Sequence, residues 1–343
     1  MAHFYETIQH LVTTDFLQKI AQGYHLGQVE EGIDFFGSWQ NAIFAFRAGT
    51  GRFVLRLYRH RAHRRQDIEK QLELVTFLSQ QGLPVVAPLA DRTGKLVRKV
   101  KIGSTWLYAV LFPFVPGTAS GDLSREQIEA IGQVMGELHK CLDHFDKGKI
   151  KERWRFDQEL AMTREQLEKV LTLPVWPFPD LADQAVVVSQ FTNDFAEFSD
   201  LFRQHEAILQ PDSIIHGDLQ QHNLKFDDGH ISGLFDFDTI MLAPKICDLA
   251  ITSGRVWINQ IGGEGRPQPK EILQLVQTGY EVVLSLLSAE MMILPILARY
   301  FLWHEMLWML SEVTSDEQLA YHHYNFRRCW YALTQLTTIK EPV

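Results

Sequence analysis

Cysteine and basic charge are both scarce in this sequence. Its 343 residues include three cysteines, Cys141, Cys247 and Cys329, which stand far apart and form no C-x-x-C pair. An odd number of widely spaced cysteines excludes a disulfide scaffold and a thiolate zinc site. The formal net charge is −9, whereas a general nucleic-acid binder normally carries a basic excess that neutralises phosphates. We therefore expect no nucleic-acid partner, and we interpret the basic cluster at 59–65 as a solvated loop rather than a phosphate-binding patch.

We expect neither a targeting segment nor a membrane segment. The N-terminus has no basic stretch followed by an apolar core, so we do not predict a signal peptide there. Residues 291–310 are long and apolar enough to draw attention, but Arg299, His304 and Glu305 lie near their middle. A charge at the centre of a bilayer is costly, so this segment predicts a buried helix. We expect a cytoplasmic protein without a membrane partner; the sequence leaves its oligomeric state open.

The chain is typical of a folded globular protein of about two domains, with 46% apolar and 22% charged residues. Strand patterns at 42–48 and 52–58 flank a glycine turn, a helix pattern covers 67–82, and two more strand patterns lie near 95–102 and 105–112. Past a linker with prolines the pattern is helical, at 125–142, 157–171, 181–208, 270–288, 291–312 and 316–337. The predicted fold is α+β with two lobes: an antiparallel sheet with one helix (1–112), a hinge (113–118) and a larger, mainly helical lobe (119–343).

Residues 213–240 interrupt the helical half with a predicted β-hairpin. Its strands lie near 224–226 and 231–235 and flank a D-D-G turn. The loop before the hairpin, 214–224, carries His216, Asp218 and Asn223 in the pattern H-x-D-x(4)-N. The loop after it, 235–239, carries D-F-D with Asp236 first. This spacing follows the protein-kinase signature H-R-D-L-x-x-x-N followed by D-F-G.

These residue types suit the transfer of a phosphoryl group, which is catalysed mainly by positioning and charge neutralisation. Mg²⁺ prefers oxygen ligands, few of them from protein and the rest from phosphates and water. Asp236 and Asn223 are predicted to supply such ligands from the two loops. Asp218 is predicted to accept the proton of an attacking hydroxyl or to orient that hydroxyl. Asp238 is expected to assist, and His216 to be a structural hydrogen-bonding residue.

A family resemblance is carried by three motifs, I-I-H-G-D-L-Q-Q-H-N-L, G-L-F-D-F-D and P-K-I-C-D-L-A. Through them the chain resembles the aminoglycoside phosphotransferase and choline kinase superfamily. Within this superfamily its sequence is most similar to those of type II homoserine kinases and bacterial stress-response kinases. The resemblance covers roughly residues 30–310. The resemblance implies a protein-kinase-like fold that binds ATP and Mg²⁺. It implies Asp218 as the catalytic position, Asn223 and Asp236 as metal ligands, and Asp248 as structural support for the catalytic loop.

The resemblance also implies an ATP site built partly from the first lobe. The usual strand lysine falls at Arg56, whose guanidinium can bind two phosphate oxygens. Its acidic partner is ambiguous, because Gln71 aligns with that position while Glu69 and Glu73 are each a small shift away. We favour Glu73.

The phosphate-covering loop is expected within 32–41, with Gly37 and Ser38 offering backbone N–H groups. The adenine is expected beside Phe112 and Phe114, near the hinge.

The predicted enzyme transfers the γ-phosphoryl group of ATP to a hydroxyl of a small molecule, with an amino alcohol, a homoserine-like amino acid, a sugar and an aminoglycoside all open as acceptor. One alternative is a Ser/Thr protein kinase of the stress-response type. The short connection between Asp238 and Lys245 argues against it, because a peptide substrate needs a longer activation segment. The second alternative is a pseudokinase that only binds a partner, suggested by Arg56 in place of lysine.

Overall fold

The structure is a computed structural model, and it describes residues 8–37, 41–49, 51–59, 64–119, 121–173, 175–260, 265–312 and 316–336. The chain divides into two compact units. The first contains residues 1–117 and the short segment 232–235; the second contains residues 118–231 and 236–343.

The first unit is built on a five-stranded antiparallel sheet. Its strands follow the order β1-β2-β3-β5-β4, and a helix, α1, precedes them and packs on β1. Buried side chains from α1 and from β2, β3 and β5 form one apolar core, which includes Leu17, Phe44, Leu55 and Leu111. The elements are α1 (Thr14–Gln22), β1 (Val29–Gly37), β2 (Asn41–Ala48), β3 (Gly51–Arg59), α2 (Arg65–Gln80), β4 (Arg98–Ile102) and β5 (Thr105–Pro113).

Strand β1 corrects the expectation of a loop over 32–41. Residues 32–37 are paired with β2, and Gly37 lies opposite Ala42. Gly32 has a φ of +100° and stands where the register shifts between Val29 and Ile33, as at a β-bulge. The bulge breaks the alternation that identifies a strand in a sequence. Ser38, the other residue expected in that loop, lies outside the described residues.

Helix α2 follows the basic cluster, of which residues 60–63 are not described. At its start Arg64 pairs with Asp67 and Arg65 with Glu69, each at 2.8 Å. These side chains are exposed, in keeping with a solvated segment. The helix ends before Gly82, whose φ of +86° matches the left-handed residue that commonly follows a helix.

The second unit is mainly helical. Ser124 caps α3 with a reciprocal pair of hydrogen bonds to Gln127, as its sequence suggested. Two short two-stranded sheets pair β6 with β9 and β7 with β8, and residues 232–234 of β8 are counted with the first unit. The elements are α3 (Arg125–Leu142), α4 (Phe156–Leu171), α5 (Gln184–Gln204), β6 (Ser213–Ile215), β7 (Leu224–Asp227), β8 (His230–Leu234), β9 (Met241–Ala243), α6 (Lys245–Gln260), α7 (Pro269–Glu281), α8 (Ser288–Glu312) and α9 (Asp316–Leu336).

Helix α8 contains the apolar segment 291–310. The three charged or titratable residues near the middle of that segment each meet a partner from another helix. Arg299 pairs with Glu197, His304 lies 3.9 Å from Glu159, and Glu305 lies 2.9 Å from Arg255. Among the described helices, none combines the length and the apolar character needed to cross a bilayer.

The observed architecture confirms the predicted α+β class, with one antiparallel sheet and a larger helical part. The hairpin predicted at 224–235 also forms, as β7 and β8. Its turn residues Asp228 and Gly229 both have positive φ, the conformation that tight hairpins favour.

Candidate active site

The loop that carries His216 and Asp218 leaves the end of a buried strand. β6 pairs antiparallel with β9, so that Ile215 lies opposite Met241. The loop therefore begins next to the point where the chain returns towards helix α6. All three residues of β6 are buried, which gives the loop a rigid base.

Asp248, near the start of α6, anchors this loop. Its carboxylate is fully buried and accepts hydrogen bonds at 2.8 Å from the backbone N–H groups of His216 and Gly217. The ring Nε2 of His139 lies 2.9 Å from the same carboxylate. Burial acts to raise the pKa of Asp248, but the interactions with His139 and His216 outweigh it and lower the pKa overall. A charged, well-bonded carboxylate thus holds the backbone of this loop.

His139 is itself held from α7, where its Nδ1 lies 3.0 Å from the hydroxyl of Tyr280. Helices α3 and α7 approach closely because glycines line their contact. A β-carbon on Gly279 would lie 1.9 Å from the backbone oxygen of Glu129, and one on Gly132 would lie 2.1 Å from that of Val276. The glycines bring the two helices near enough for Tyr280 to reach His139.

Gly217 provides the sharp turn between His216 and Asp218. Its φ is +78°, and a β-carbon there would lie 2.6 Å from the backbone oxygen of Thr239. The Thr239 hydroxyl in turn donates to the carbonyl of His216 at 2.8 Å. A side chain at residue 217 would both strain the backbone and separate these two loops.

The Asp218 carboxylate is surrounded by hydrogen-bond donors. The amide of Gln220 spans both oxygens at 3.0 and 2.9 Å. The amide nitrogen of Asn223 donates to the Asp218 carbonyl at 2.8 Å and to its carboxylate at 3.2 Å. The Nε of Arg255 lies 3.5 Å from Oδ1, an ion-pair distance rather than a hydrogen bond. These contacts fix the orientation of the carboxylate, whose side chain is 22% exposed.

Asn223 and Asp236 have the chemistry of a magnesium pair. The amide nitrogen of Asn223 is committed to Asp218, which leaves its oxygen as the atom for a cation. Asp236 is exposed at the end of the hairpin, with φ of 61° and ψ of 65°, a conformation rare outside glycine. No group of three or more His, Cys, Asp or Glu side chains within the described ranges is suited to hold a metal. Carboxylate and amide oxygens are ligands that Mg²⁺ accepts together with phosphates and water, and the assignment of this pair as metal ligands stays a prediction.

Sequence reasoning missed two charged residues, Arg255 at Asp218 and Glu305 at Arg255. Arg255 of α6 is placed between Asp218 and Glu305 of α8, to which its Nη1 lies at 2.9 Å. Burial acts to lower the pKa of Arg255, but the carboxylates of Glu305 and Asp218 outweigh it and raise the pKa. The one available signal was that Arg255 stands two helical turns after Asp248, and so on the same face of α6.

Helix α8 also meets an acidic residue of α4. Glu159 of α4 is 3.9 Å from His304, the neighbour of Glu305 in the chain. Burial raises the pKa of Glu159 to about 7. Burial also lowers the pKa of His304, against the opposing effect of Glu305.

The residues predicted to bind nucleotide in the first unit occupy the sheet and its helix. Arg56 lies on β3 opposite Val110 of β5, with its guanidinium carbon 4.8 Å from the ring centre of Tyr58. Glu73 is exposed on α2, whereas Glu69 is bound to Arg65. The pairing of Arg56 with Glu73 stays a prediction.

Phe112 and Phe114 lie at the end of β5. Phe112 is partly buried against an apolar cluster that includes Tyr58. The N–H of Phe114 donates to the carbonyl of Arg52 at 2.9 Å, and the Arg52 guanidinium lies 3.8 Å from the Phe114 ring centre. An adenine at this strand would therefore have to use groups other than that N–H.

Comparison with known proteins identifies what this chain resembles. The sequence model described as "Phosphotransferase enzyme family" matches residues 33–281, which span His139, Asp218, Asp248 and Arg255. A homoserine kinase from Phenylobacterium zucineum (strain HLK1) is 26% identical over 315 residues, covering 85% of this chain and 86% of the relative.

Solved structures show the same fold. The amicoumacin kinase hAmiN, in complex with AMP-PNP, Ca²⁺ and Ami, matches with a TM-score of 0.66 and 18% identity over 96% of each chain. A microcompartment-associated aminopropanol kinase matches with a TM-score of 0.65 and 16% identity, over 95% of this chain and 98% of that one. At such identities the likeness concerns the fold alone.

Proposed function

The chain belongs to the phosphotransferase enzyme family, and we propose that it transfers the γ-phosphoryl group of Mg·ATP to the hydroxyl of a small amino alcohol or hydroxy amino acid. The observation that carries this proposal is the Asp218 carboxylate, held by Gln220, Asn223 and Arg255 on a loop anchored to Asp248. Phosphorylation of an alcohol is the activity of this family. The acceptor and the residue roles are the proposal.

In this mechanism Asp218 orients the acceptor hydroxyl and takes its proton. The hydroxyl oxygen forms a bond to the γ-phosphorus, the bond to the β,γ-bridging oxygen breaks, and ADP leaves. Asn223 and Asp236 would hold Mg²⁺, which supplies charge neutralisation at the phosphate oxygens when bound. Arg56 would bind phosphate oxygens from the first unit. The nucleotide and a divalent cation are consistent with the AMP-PNP and Ca²⁺ bound to the amicoumacin kinase.

An acceptor that carries an amine is supported by the charges around Asp218. Arg255 is shared by two carboxylates, those of Asp218 and Glu305, so this group of three has a net charge of about −1. A cationic ammonium complements such a surface better than a neutral sugar does. Homoserine and aminopropanol, named in two of the similar proteins, both combine an amine with a hydroxyl.

The two alternatives are less well supported. After the D-F-D segment the chain passes through β9 and starts α6 at Lys245, so no segment is long enough to form a peptide platform. A binding-only role is disfavoured because the family is one of phosphotransferases and because Asp218, Asn223 and Asp236 are all present.

The test is phosphotransfer by the purified full chain. Mg·ATP is supplied with L-homoserine, 1-amino-2-propanol, choline, a neutral sugar, an aminoglycoside or the protein fraction of a lysate, and ADP release and product mass are measured. We expect turnover with a hydroxylated amine, and Asp218→Asn to lower kcat by about 10²–10⁴-fold.

Asp227→Asn is the matched control, since Asp227 is an exposed acid at the far end of β7, and it should leave kcat unchanged. Phosphate transferred mainly to protein, or no ADP release with any acceptor, would refute the proposal.

A further inference from the structure

The structure places Arg255 between two carboxylates that belong to different parts of the second unit. Its Nε lies 3.5 Å from Asp218 in the loop, and its Nη1 lies 2.9 Å from Glu305 on α8. We propose that Arg255 is a positioning residue that holds Asp218 in its productive orientation, and that Glu305 holds Arg255 in turn. This inference rests on the proposed function, in which Asp218 is the group that meets the acceptor hydroxyl.

Helix α6 is suited to this task because one of its faces follows the loop. Asp248 binds two backbone N–H groups of the loop. Two helical turns later, Arg255 reaches the side chain of Asp218. The side chain of Gln260, further along α6, lies 3.4 Å from that of Gln221. A single buried helix thus meets the loop backbone, its reactive side chain and its far end.

Among the contacts that the described residues make with the Asp218 carboxylate, the ion pair with Arg255 is the one that comes from outside the loop. Gln220 and Asn223 are two and five residues away in the chain, so they move with the loop. Asp248 holds the backbone of the loop, whereas Arg255 contacts the reactive side chain itself. Loss of Arg255 would remove the contact that orients the carboxylate relative to α6.

Glu305 explains why a flexible arginine can serve as a fixed support. An arginine side chain loses much rotational freedom when it is held in one place. The 2.9 Å contact with Glu305 restrains the guanidinium before any substrate binds, and its planar group can face two carboxylates at once. Lysine, with a single ammonium, is less able to do both. Glu305 is 21% exposed and Arg255 is 32% exposed, so neither pair is a simple surface ion pair.

The experiment compares Arg255→Met, Arg255→Lys, Glu305→Gln and the double variant Arg255→Met/Glu305→Gln in the full chain. Turnover is measured with Mg·ATP and L-homoserine and, in parallel, as basal ATP hydrolysis with water as acceptor. We expect Arg255→Met to lower kcat about 30–100-fold, because a misplaced reacting group costs about that much. The KM for ATP should stay within about threefold, and Arg255→Lys should recover part of kcat.

The double variant tests whether Glu305 acts through Arg255. We expect Glu305→Gln to lower kcat by itself, and the double variant to be no slower than Arg255→Met alone, because coupled residues are not additive. Arg125→Met is the matched control: Arg125 forms an Arg–Glu ion pair with Glu271 at 2.5 Å between α3 and α7. It should leave kcat within about twofold of the wild type, and melting temperatures establish that each variant is folded.

Three results would overturn the inference. A folded Arg255→Met with wild-type kcat would remove Arg255 from the mechanism, while the proposed function would stand. Additive losses in the double variant would show that Glu305 does not act through Arg255. A loss of kcat in Arg125→Met as large as in Arg255→Met would assign the effect to ion pairs in general. Absence of turnover in the wild type with every acceptor would instead refute the proposed function, and this inference with it.

Discussion

The buried carboxylate of Asp248 offers the sharpest test of how the catalytic loop is held. Asp248→Asn keeps the size of the side chain but replaces one acceptor oxygen with an N–H₂ group. The carboxylate now accepts from two backbone N–H groups and lies beside the His139 ring. In the variant at least one of these contacts is lost, and an N–H group of the loop faces another N–H group.

The size of the effect follows from these contacts. A hydrogen bond to a charged group contributes about 1.5–3 kcal/mol, and an unsatisfied buried donor costs about 1–3 kcal/mol. Because Asp248 is fully buried, solvent does not replace the lost bond. We expect the free energy of unfolding to fall by about 2–4 kcal/mol, which corresponds to about 5–12 °C in melting temperature for a unit of this size.

The assay combines thermal denaturation with the kinetics of phosphotransfer. We expect kcat to fall on the order of 10–100-fold, because the loop that carries Asp218 loses its anchor. Asp157→Asn is the control, since Asp157 forms an exposed ion pair with Arg155 and should shift the melting temperature by no more than about 2 °C. A folded Asp248→Asn with the wild-type melting temperature and kcat would refute this account of the loop.

The pH dependence supplies an independent check on the charge of Asp248. Its pKa is lowered in the folded protein, so its stabilising contribution is present above the ordinary aspartate pKa of about 3.9. That contribution is lost as the pH falls through the lower folded value. The difference in stability between the wild type and Asp248→Asn should therefore be present above about pH 4 and shrink below it. A difference that does not shrink in acid would show that the charge is not the cause.

Three further predictions concern stability. Gly217→Ala should lower the free energy of unfolding by more than about 2 kcal/mol, because φ is positive there and the new β-carbon would lie 2.6 Å from a backbone oxygen. The control Gly229→Ala, with positive φ but open space, should cost about 1–2 kcal/mol. Equal losses in the two variants would show that the close contact at Gly217 has no effect. Burial raises the pKa of Glu159 to about 7, so the contribution of Glu159 to stability should fall by about 1–3 kcal/mol as the pH rises from about 4.5 to 7. Urea denaturation of Glu159→Gln should show a flatter profile, and an equal slope would refute this assignment. Gly279→Ala should separate α3 from α7 and lower the melting temperature. The control Gly121→Ala, where a β-carbon would meet open space, should lower it far less. Similar shifts in the two variants would show that the helices can adjust.

Much of the architecture was readable from local patterns. Each of these patterns involves only a few neighbouring residues: the alternating apolar residues of a strand, the D-D-G turn and the Ser124 cap. The strands, the hairpin and the helix that they indicated formed where expected. Strand β1 and helix α6 were not predicted. Gly32 breaks the alternation of β1, and α6 contains β-branched residues and Gly254, which are poor signals for a helix. Both elements are stabilised by what covers them, α1 and β2 in one case and the surrounding helices in the other.

The residues of the candidate site also fall into those that local sequence predicts and those that it does not. The spacing of His216, Asp218, Asn223 and Asp236 lies within a single hairpin and its two loops, so the sequence by itself determined a kinase-like motif and its chemistry. Arg255 and Glu305 carried no such signal, because each acquires its role only when α6 and α8 pack beside the loop. Electrostatic contacts act over a few ångströms in space, regardless of separation along the chain. Which charges meet at Asp218 was therefore decided by the tertiary structure alone.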